Sequence, residues 1–207
     1  MARPALRPDE IESFKARLCA TAMQMFADEG YEAVTLRGLA EKLGCSHGLP
    51  YRYFADKLEI FAAVCALGFE RFADALERAA AGVFDPEQRL RVLAQAYFEF
   101  ALREPHAYRI MFELREPDRK PNAEYRAKEI RSWQALLSAV ELAVQAGVLD
   151  GDPLTLAHQY WAALHGLVSL HLAGKLGLGK SARELVDPLM HTLLEGARKT
   201  PKPRRKR

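Results

Sequence analysis

Cysteine is scarce in this chain of 207 residues, and its three copies form no Cys-x-x-Cys pair. Cys19, Cys45 and Cys65 therefore argue against a disulfide framework and against a structural zinc site. The first residues lack the apolar segment of a secretory signal peptide. The most apolar stretch, residues 160–174, is too short to cross a bilayer. We expect a reducing, cytoplasmic compartment, with no bound metal and no membrane partner.

The chain also lacks the residue constellations that carry catalysis. No nucleophile has an adjacent base with an orienting acid, and no glycine-rich phosphate loop occurs. His158 and His165 share one helical face, but no third ligand is spaced to complete a metal site. The sequence therefore predicts no catalytic residue and no cofactor. An enzyme that uses a pocket at His165 and Trp161 remains a rival interpretation.

Charge is nearly balanced, and the basic excess lies at one end of the chain. The 30 lysines and arginines outnumber the 27 aspartates and glutamates, for a net charge of +3. Residues 198–207 hold seven basic residues and no acidic one, so the remainder of the chain is net acidic. Pro201 and Pro203 prevent helix continuation there. This pattern predicts a disordered basic tail, which is either a solvated end or an auxiliary phosphate-binding arm.

The alternation that marks β-strands is absent, and apolar residues recur at helical spacing throughout. Thr35 and Ser46 are good N-caps, and Ser181 with Glu184 matches a capping box. Pro188 implies a kink or a second helix start within the last segment. We therefore expect an all-α protein of nine helices. Their approximate ranges are 9–29, 36–43, 46–54, a fourth from 56, 86–103, 105–114, 122–146, 153–174 and a last one from 182, with a polar loop at 115–121.

The second and third expected helices form a helix-turn-helix pattern around Gly44 and Cys45. Ala40 is small enough for the two helices to approach closely, and Gly44 permits the backbone of a tight turn. Ser46 would cap the second helix and leave its first turn facing outward. Such a helix fits the major groove of DNA. Many helical proteins contain short helix pairs, so the pattern is weak without its flanking sequence.

The flanking sequence resembles the TetR family of transcriptional regulators. The run TLRGLAEKLGCSHGLPYRYFADKLEIFAAV covers residues 35–64, and the upstream LCATAMQMFADEGYEAVTL resembles the family's first helix and its junction to the second. The most diagnostic part is the Tyr-x-Tyr-Phe-x-x-Lys signature. Its residues are Tyr51, Tyr53, Phe54 and Lys57.

The resemblance implies a set of DNA contacts in this segment. Phosphate contacts set the register of such a protein on DNA, while base contacts set its sequence preference. Two positions depart from the family: Gly38 replaces the usual acidic residue, and Pro50 replaces an aliphatic one. Because Pro50 lacks an N–H, the third helix tolerates a missing bond or begins as a 3₁₀ turn. The implied DNA-binding residues are Thr35, Arg37, Ser46, His47, Gly48, Leu49, Tyr51, Arg52, Tyr53 and Lys57.

The second half of the chain resembles a ligand-binding domain of the same family. Trp161, His165 and Gly166 resemble the Trp-His-Gly motif of one C-terminal subclass, and residues 105–112 fit that subclass too. Aromatic residues at helical spacings are first explained by core packing, and the resemblance adds an effector pocket. The residues expected to line that pocket are Phe69, Phe72, Tyr97, Phe100, Tyr108, Met111, Trp133, Leu137, Trp161 and His165.

The helix expected at 153–174 is apolar nearly all round, so it must be buried on more than one face. A partner subunit is the simple solution, with two helices from each chain forming a four-helix interface. The interface residues expected on this argument are Leu167, Val168, Leu185, Leu189 and Leu193.

Taken together, the residues and the resemblance predict a homodimeric DNA-binding regulator. Residues 8–68 would form a helix-turn-helix DNA-binding domain and residues 69–197 a ligand-binding and dimerisation domain, followed by the basic tail at 198–207. The expected function is a repressor that a small apolar or aromatic effector releases from a double-stranded operator. A non-specific nucleic-acid binder that uses the tail is the other rival interpretation. The sequence names neither the effector nor the operator.

Overall fold

The computed structural model describes residues 7–114 and 122–198, which form eight α-helices and one 3₁₀ turn without a β-strand. An isolated antiparallel bridge joins Leu149 to Arg198. The all-α class is confirmed, and the helix count is close to the nine expected. The predicted loop at 115–121 and the tail beyond Arg198 lie outside the described residues. The helices are α1 Pro8–Glu29, α2 Leu36–Lys42, α3 Lys57–Ala80, α4 Pro86–Arg103, α5 Pro105–Phe112, α6 Ala123–Gln145, α7 Pro153–Leu172 and α8 Ala182–Gly196.

Helix starts follow the capping residues seen in the sequence. The Thr35 hydroxyl accepts a hydrogen bond from the Gly38 N–H at 3.0 Å, which opens α2. Asp152 accepts from the Thr155 N–H at 2.8 Å and opens α7. Ser181 and Glu184 form a reciprocal capping box at α8. Each cap satisfies N–H groups that have no partner within the helix, so these predicted starts are confirmed.

The third expected helix, at 46–54, is the exception. Only Pro50–Arg52 is helical there, as a 3₁₀ turn, and its N-cap is Leu49 without a side-chain cap bond. The expected capping role of Ser46 is therefore wrong. Pro50 supplies no N–H and fixes its own φ, which is compatible with a short turn but interrupts a longer α-helical ladder. The predicted alternative of a 3₁₀ turn is the one observed.

The chain divides into two compact units. Among the described residues, the first consists of residues 7–70 with 104–114 and 122–129. In it α1 packs against α2 and α5, with Phe14, Leu18 and Phe26 buried. This unit holds the helix-turn-helix region.

The second unit consists of Arg71–Arg103 with Ile130–Arg207, described as far as Arg198. Here α4, α7 and α8 pack against one another. The two helices α4 and α8 run antiparallel, since Glu87 pairs with Arg198, Gln95 with Asp187 and Glu99 with Arg183. The register of α4 on α8 is thus marked by three polar contacts.

Helix α8 carries two adjacent apolar stripes and continues through Pro188 without a second start. One stripe is fully buried and consists of Ala182, Val186, Met190 and Leu194. The other, which we call the outer α8 stripe, is half-exposed and consists of Leu185, Leu189 and Leu193. The helix therefore carries more apolar surface than its own unit covers.

Helix α7 is buried more deeply by its own chain than the sequence predicted. Val168 is 0% exposed and Leu167 is 8% exposed in the single chain. Both were expected at a dimer interface, and this expectation is corrected: their side chains lie in the core of their own chain and offer almost no surface to a partner. An all-round apolar helix shows that several faces are covered, but not by which chain.

Within the described residues, no helix has both the length and the apolar character needed to span a membrane.

Candidate nucleic-acid interface

A cluster of rings and one ammonium group fixes the base of the helix-turn-helix region. Phe26 and Tyr31 stack with ring centroids 5.7 Å apart, and each makes an edge contact with Phe61. The Lys57 ammonium lies 4.3 Å from the centre of the Tyr31 ring. Burial, then the carboxylates of Asp56 and Glu32, raise the pKa of Tyr31 and keep its phenol neutral. The cluster joins the end of α1 to the start of α3.

The turn after α2 presents a short loop instead of a continuous recognition helix. Gly44 has a φ of +65°, a left-handed conformation that glycine adopts without a Cβ penalty. The Cys45 N–H donates to the Ala40 carbonyl at 3.0 Å, and the Leu49 N–H donates to the Ser46 carbonyl at 2.9 Å. Residues 46–49, which we call the reading loop, therefore form a hydrogen-bonded turn leading into the 3₁₀ turn.

Most of the side chains expected to contact DNA lie on the surface of this region. Tyr51 is 59% exposed, so most of its ring and its hydroxyl are accessible to a partner molecule. Leu49, Tyr53 and Lys57 are half-buried. The exposed members of the expected set are Thr35, Arg37, Ser46, His47, Gly48, Tyr51 and Arg52.

Tyr53 and Lys57 have structural contacts as well. The Tyr53 ring packs on Phe14, with centroids 5.4 Å apart. The Lys57 ammonium donates to the Tyr31 carbonyl at 2.8 Å and to the Glu32 carbonyl at 3.2 Å. Lys57 thus holds the loop between α1 and α2, and its contact with a DNA phosphate stays a prediction.

One acidic residue that the resemblance did not supply lies among the expected contacts. A single carboxylate oxygen of Glu41, Oε1, lies 3.0 Å from Arg37 Nε and 3.4 Å from His47 Nε2. Glu41 is four residues after Arg37, a spacing that brings side chains together on a helix. That spacing was visible in the sequence, but the approach of His47 depends on the turn at Gly44.

The residues expected around an effector fall into separate aromatic groups. In the first unit Tyr108 and Phe69 both contact the Phe112 ring, at centroid distances of 4.9 and 5.7 Å. Met111 of the same set is buried nearby and lies against Gly68.

In the second unit the buried Phe72 contacts Tyr97 and Phe100, at 5.3 and 5.0 Å between ring centroids. A second group there is half-buried: Trp161 lies 6.0 Å from Trp133 and 6.3 Å from His165. Leu137 is also half-buried. The buried group of Phe72, Tyr97 and Phe100 is consistent with core packing. The half-buried Trp133–Trp161–His165 group is accessible to a ligand.

An open polar groove of about 430 Å³ lies elsewhere in the second unit. None of the ten expected effector residues lines it. Its lining residues are Asp85, Glu87, Gln88, Arg91, Gly147, Val148 and Arg198. Arg91 and Arg198 both bind Glu87 and lower the pKa of its carboxyl. Among the described residues, no group of three His, Cys, Asp or Glu side chains could hold a metal ion.

The fold and the surface at 35–52 define a helix-turn-helix protein of the regulatory class. Residues 18–64 match the family described as bacterial regulatory proteins, tetR family, and residues 90–193 match the tetracyclin repressor-like C-terminal domain. The chain belongs to the TetR family. The second match does not confirm the Trp-His-Gly subclass expected from Trp161, His165 and Gly166.

Individual relatives agree with this assignment. The chain is 30% identical over 99 residues to the transcriptional activator FasR of Mycolicibacterium smegmatis, covering 48% of this chain and 45% of that protein. It is 32% identical over 79 residues to the transcriptional repressor KstR of the same organism, covering 38% and 39%. The chain thus spans less than half of these relatives.

Among solved structures, a TetR family transcription regulator from Marinobacter aquaeolei VT8 shares the fold. It has a TM-score of 0.78 at 20% identity, over 94% of this chain and 100% of that one.

Proposed function

We propose that this protein is a homodimeric transcriptional regulator that binds a pseudo-palindromic DNA operator through residues 35–52. The observation that carries the proposal is that Arg37, His47, Tyr51 and Arg52 are all exposed within the helix-turn-helix region of a TetR-family chain. In it, residues 8–68 form the DNA-binding domain and residues 69–197 the ligand-binding and dimerisation domain. The basic tail at 198–207 is either a solvated end or an auxiliary phosphate-binding arm, and its first residue, Arg198, is paired with Glu87 and Glu195. Its place of action is the cytoplasm, where a bacterial operator lies.

The DNA contacts divide by chemistry. Arg37, Arg52 and the hydroxyls of Thr35, Tyr51 and Tyr53 suit phosphates, which position the protein without reading sequence. His47 with the reading loop suits base edges in the major groove. One reading loop per subunit places two half-sites about 34–36 Å apart, or a multiple of that distance.

Selection from a random-sequence duplex library tests this proposal. We expect one palindromic duplex to be enriched, bound with an affinity at least about a thousandfold above that for a scrambled duplex of equal length at physiological salt. Equal affinity for both duplexes would instead support the non-specific nucleic-acid binder. Footprinting on the enriched duplex then measures the half-site spacing.

The dimer in this proposal uses the outer α8 stripe. Its three leucines lie four residues apart on a helix whose other apolar side is already buried. Helix α8 and the exposed side of α7, where Leu170 is 49% exposed, would form a four-helix interface with the same two helices of a second subunit.

The effector in this proposal binds at the Trp133–Trp161–His165 group and is a small apolar or aromatic molecule. Half-buried aromatic rings offer an apolar ligand both contact area and access. The chain has two tryptophans, and both are in this group, so intrinsic fluorescence reports on the site directly. A titration that quenches fluorescence and changes operator affinity in parallel supports it; quenching without a change in affinity contradicts it.

The direction of regulation in this proposal is repression relieved by the effector. KstR is named a repressor and FasR an activator, so both directions occur among relatives. An effector that binds the DNA-free arrangement better lowers operator affinity by the ratio of its two affinities. A reporter gene placed behind the selected operator distinguishes release from activation.

A further inference from the structure

We propose that Glu41 is an internal substitute for a DNA phosphate, and that it sets the discrimination between operator and non-specific DNA. The inference rests on the proposed function and adds to it a residue that limits binding. Its basis is the position of one carboxylate between two expected DNA contacts.

The geometry places both basic partners on a single oxygen. Glu41 Oε1 accepts a hydrogen bond from Arg37 Nε at 3.0 Å, and His47 Nε2 lies 3.4 Å from the same atom. Arg37 and Glu41 belong to α2, whereas His47 belongs to the reading loop. The carboxylate therefore links the helix to the loop across the turn at Gly44.

All three side chains are more than half exposed, at 74% for Arg37, 56% for Glu41 and 54% for His47. An exposed ion pair of this kind contributes little to folding stability. The guanidinium–carboxylate contact nevertheless has the chemistry of a guanidinium–phosphate contact. In the free protein Glu41 occupies the partner position that a phosphate takes in a complex.

Binding to any DNA then requires an exchange at Arg37. Its guanidinium leaves the Glu41 carboxylate for a phosphate, and that carboxylate is left facing a polyanion. Non-specific binding consists almost entirely of phosphate contacts, so this cost lowers it directly. Operator binding carries the same cost, so the exchange at Arg37 lowers both affinities and leaves their ratio unchanged. The ratio depends on base contacts, which only the operator complex makes in full.

The same carboxylate also positions His47. A ring nitrogen held by a carboxylate fixes the orientation of the imidazole, which directs the other nitrogen. In the operator complex Arg37 moves to phosphate while Glu41 keeps His47 aimed at the groove. Glu41 is thus a positioning residue for His47 and a competitor for Arg37.

The experiment compares Glu41→Gln with the wild-type protein on two duplexes, the one that the wild-type protein selects from a random library and a scrambled duplex of equal length. Glutamine keeps the size of the side chain and removes its charge. We expect affinity for the scrambled duplex to rise about three- to tenfold at low salt, with a salt dependence steeper by about one released counterion. We expect the operator-to-scrambled ratio to fall about three- to tenfold.

Two further measurements separate this role from a merely structural one. Glu129→Gln removes the same charge from a surface ion pair with Arg126 on α6, and it should leave both affinities unchanged. In an Arg37→Ala background, Glu41→Gln should no longer raise the scrambled-duplex affinity, and in a His47→Ala background it should no longer change the ratio. Circular dichroism melting checks that each variant is folded.

The outcomes distinguish the inference from the proposed function. A wild-type protein that selects no duplex overturns the proposed function and the inference with it. A wild-type protein with a clear preference, together with a Glu41→Gln variant whose ratio and salt dependence are unchanged, overturns the inference alone. A loss of affinity for both duplexes in a folded Glu41→Gln variant also overturns it.

Discussion

Gly68 on α3 and Met111 on α5 approach so closely that a Cβ at Gly68 would lie 2.7 Å from the Met111 sulfur. Met111 is buried, so its side chain has little room to move aside. Gly68→Ala should therefore destabilise the protein by about 1–3 kcal/mol from overpacking, offset by roughly 1 kcal/mol of helix propensity. Urea denaturation measures the net loss. Gly196→Ala is the matched control, because that helical glycine has no atom near an added Cβ and should gain stability.

Lys57→Met tests whether this lysine is structural. The variant keeps an unbranched apolar side chain and loses the ammonium bonds to the Tyr31 and Glu32 carbonyls. We expect the free energy of unfolding to fall by about 1–3 kcal/mol, because two hydrogen bonds from a charged donor are removed. Lys42→Met, at an exposed position of α2, should change it by less than about 0.5 kcal/mol. Unchanged stability with weaker DNA binding would instead identify Lys57 as a phosphate ligand alone.

The sequence alone predicted where several helices begin and that α7 is buried, but not which chain buries it. The helix starts at Thr35, Asp152 and Ser181 could be predicted from the sequence. At each start a side-chain oxygen caps N–H groups within three residues of it, so four consecutive residues are enough to identify the cap. The apolar period also indicated that α7 is buried. It did not indicate that Val168 faces its own chain, because periodicity records the burial of a face and not the identity of the element that covers it.

The expected DNA-binding surface also contains residues that the sequence predicted and contacts that it did not. The resemblance supplied Arg37 and His47, because both lie within the run of residues 35–64 that resembles the family. It did not supply Glu41, whose contact with His47 depends on the backbone path through Gly44. The 3₁₀ turn at Pro50 was predictable in part, since a proline removes one N–H wherever it stands, but the N-cap at Leu49 was not.

Gly48→Ala probes how closely the reading loop approaches DNA. An added Cβ at Gly48 meets no atom within 4 Å, so the free protein should tolerate alanine without loss of stability. A methyl group at a packed interface should lower operator affinity about tenfold, equivalent to about 1.4 kcal/mol. Fluorescence anisotropy with a labelled operator duplex gives the affinity. The control is Gly177→Ala in the loop before α8, where an added Cβ also meets no atom within 4 Å, and this variant should leave the operator affinity unchanged. Equal operator affinities for the two variants would place Gly48 away from the DNA.

Tyr160→Phe tests the cost of a buried hydroxyl. Tyr160 is 2% exposed, and its hydroxyl has no hydrogen-bond partner among the described residues. Removing it should leave the free energy of unfolding unchanged or raise it by about 1 kcal/mol. A loss of more than about 1 kcal/mol in thermal or urea denaturation would show that the hydroxyl has a partner.

The same residue gives a pH dependence. Burial, with a smaller effect from Glu87, raises the pKa of Tyr160 to about 12, above its ordinary value of about 10. The folded state thus favours the neutral phenol. Its contribution to stability is complete below pH 10 and is lost as the pH rises towards 12. The difference in stability between the wild-type protein and Tyr160→Phe should change across that interval and be constant below it.

Neighbouring residues of α8 separate dimerisation from folding. Leu189 is half-exposed, whereas Met190 is buried in the core of its own chain. Leu189→Glu should produce helical monomers that bind the operator weakly, because each carries one half-site's contacts. Met190→Glu should unfold the protein, since an unpaired charge in a core costs several kcal/mol. Sedimentation velocity with circular dichroism measures both, and a dimeric Leu189→Glu protein would move the interface away from the outer α8 stripe.

The polar contacts between α4 and α8 are individually weak, yet their spacing has a geometric consequence. Gln95 and Glu99 meet Asp187 and Arg183 of α8, and Glu87 meets Arg198, two residues beyond its end, in one antiparallel alignment. Sliding α8 by one turn, about 5.4 Å, would break all three contacts at once and would bring the buried stripe out of register. The outer α8 stripe is therefore held at one axial position along α4. A second subunit that docks on the stripe would be fixed at that axial position too.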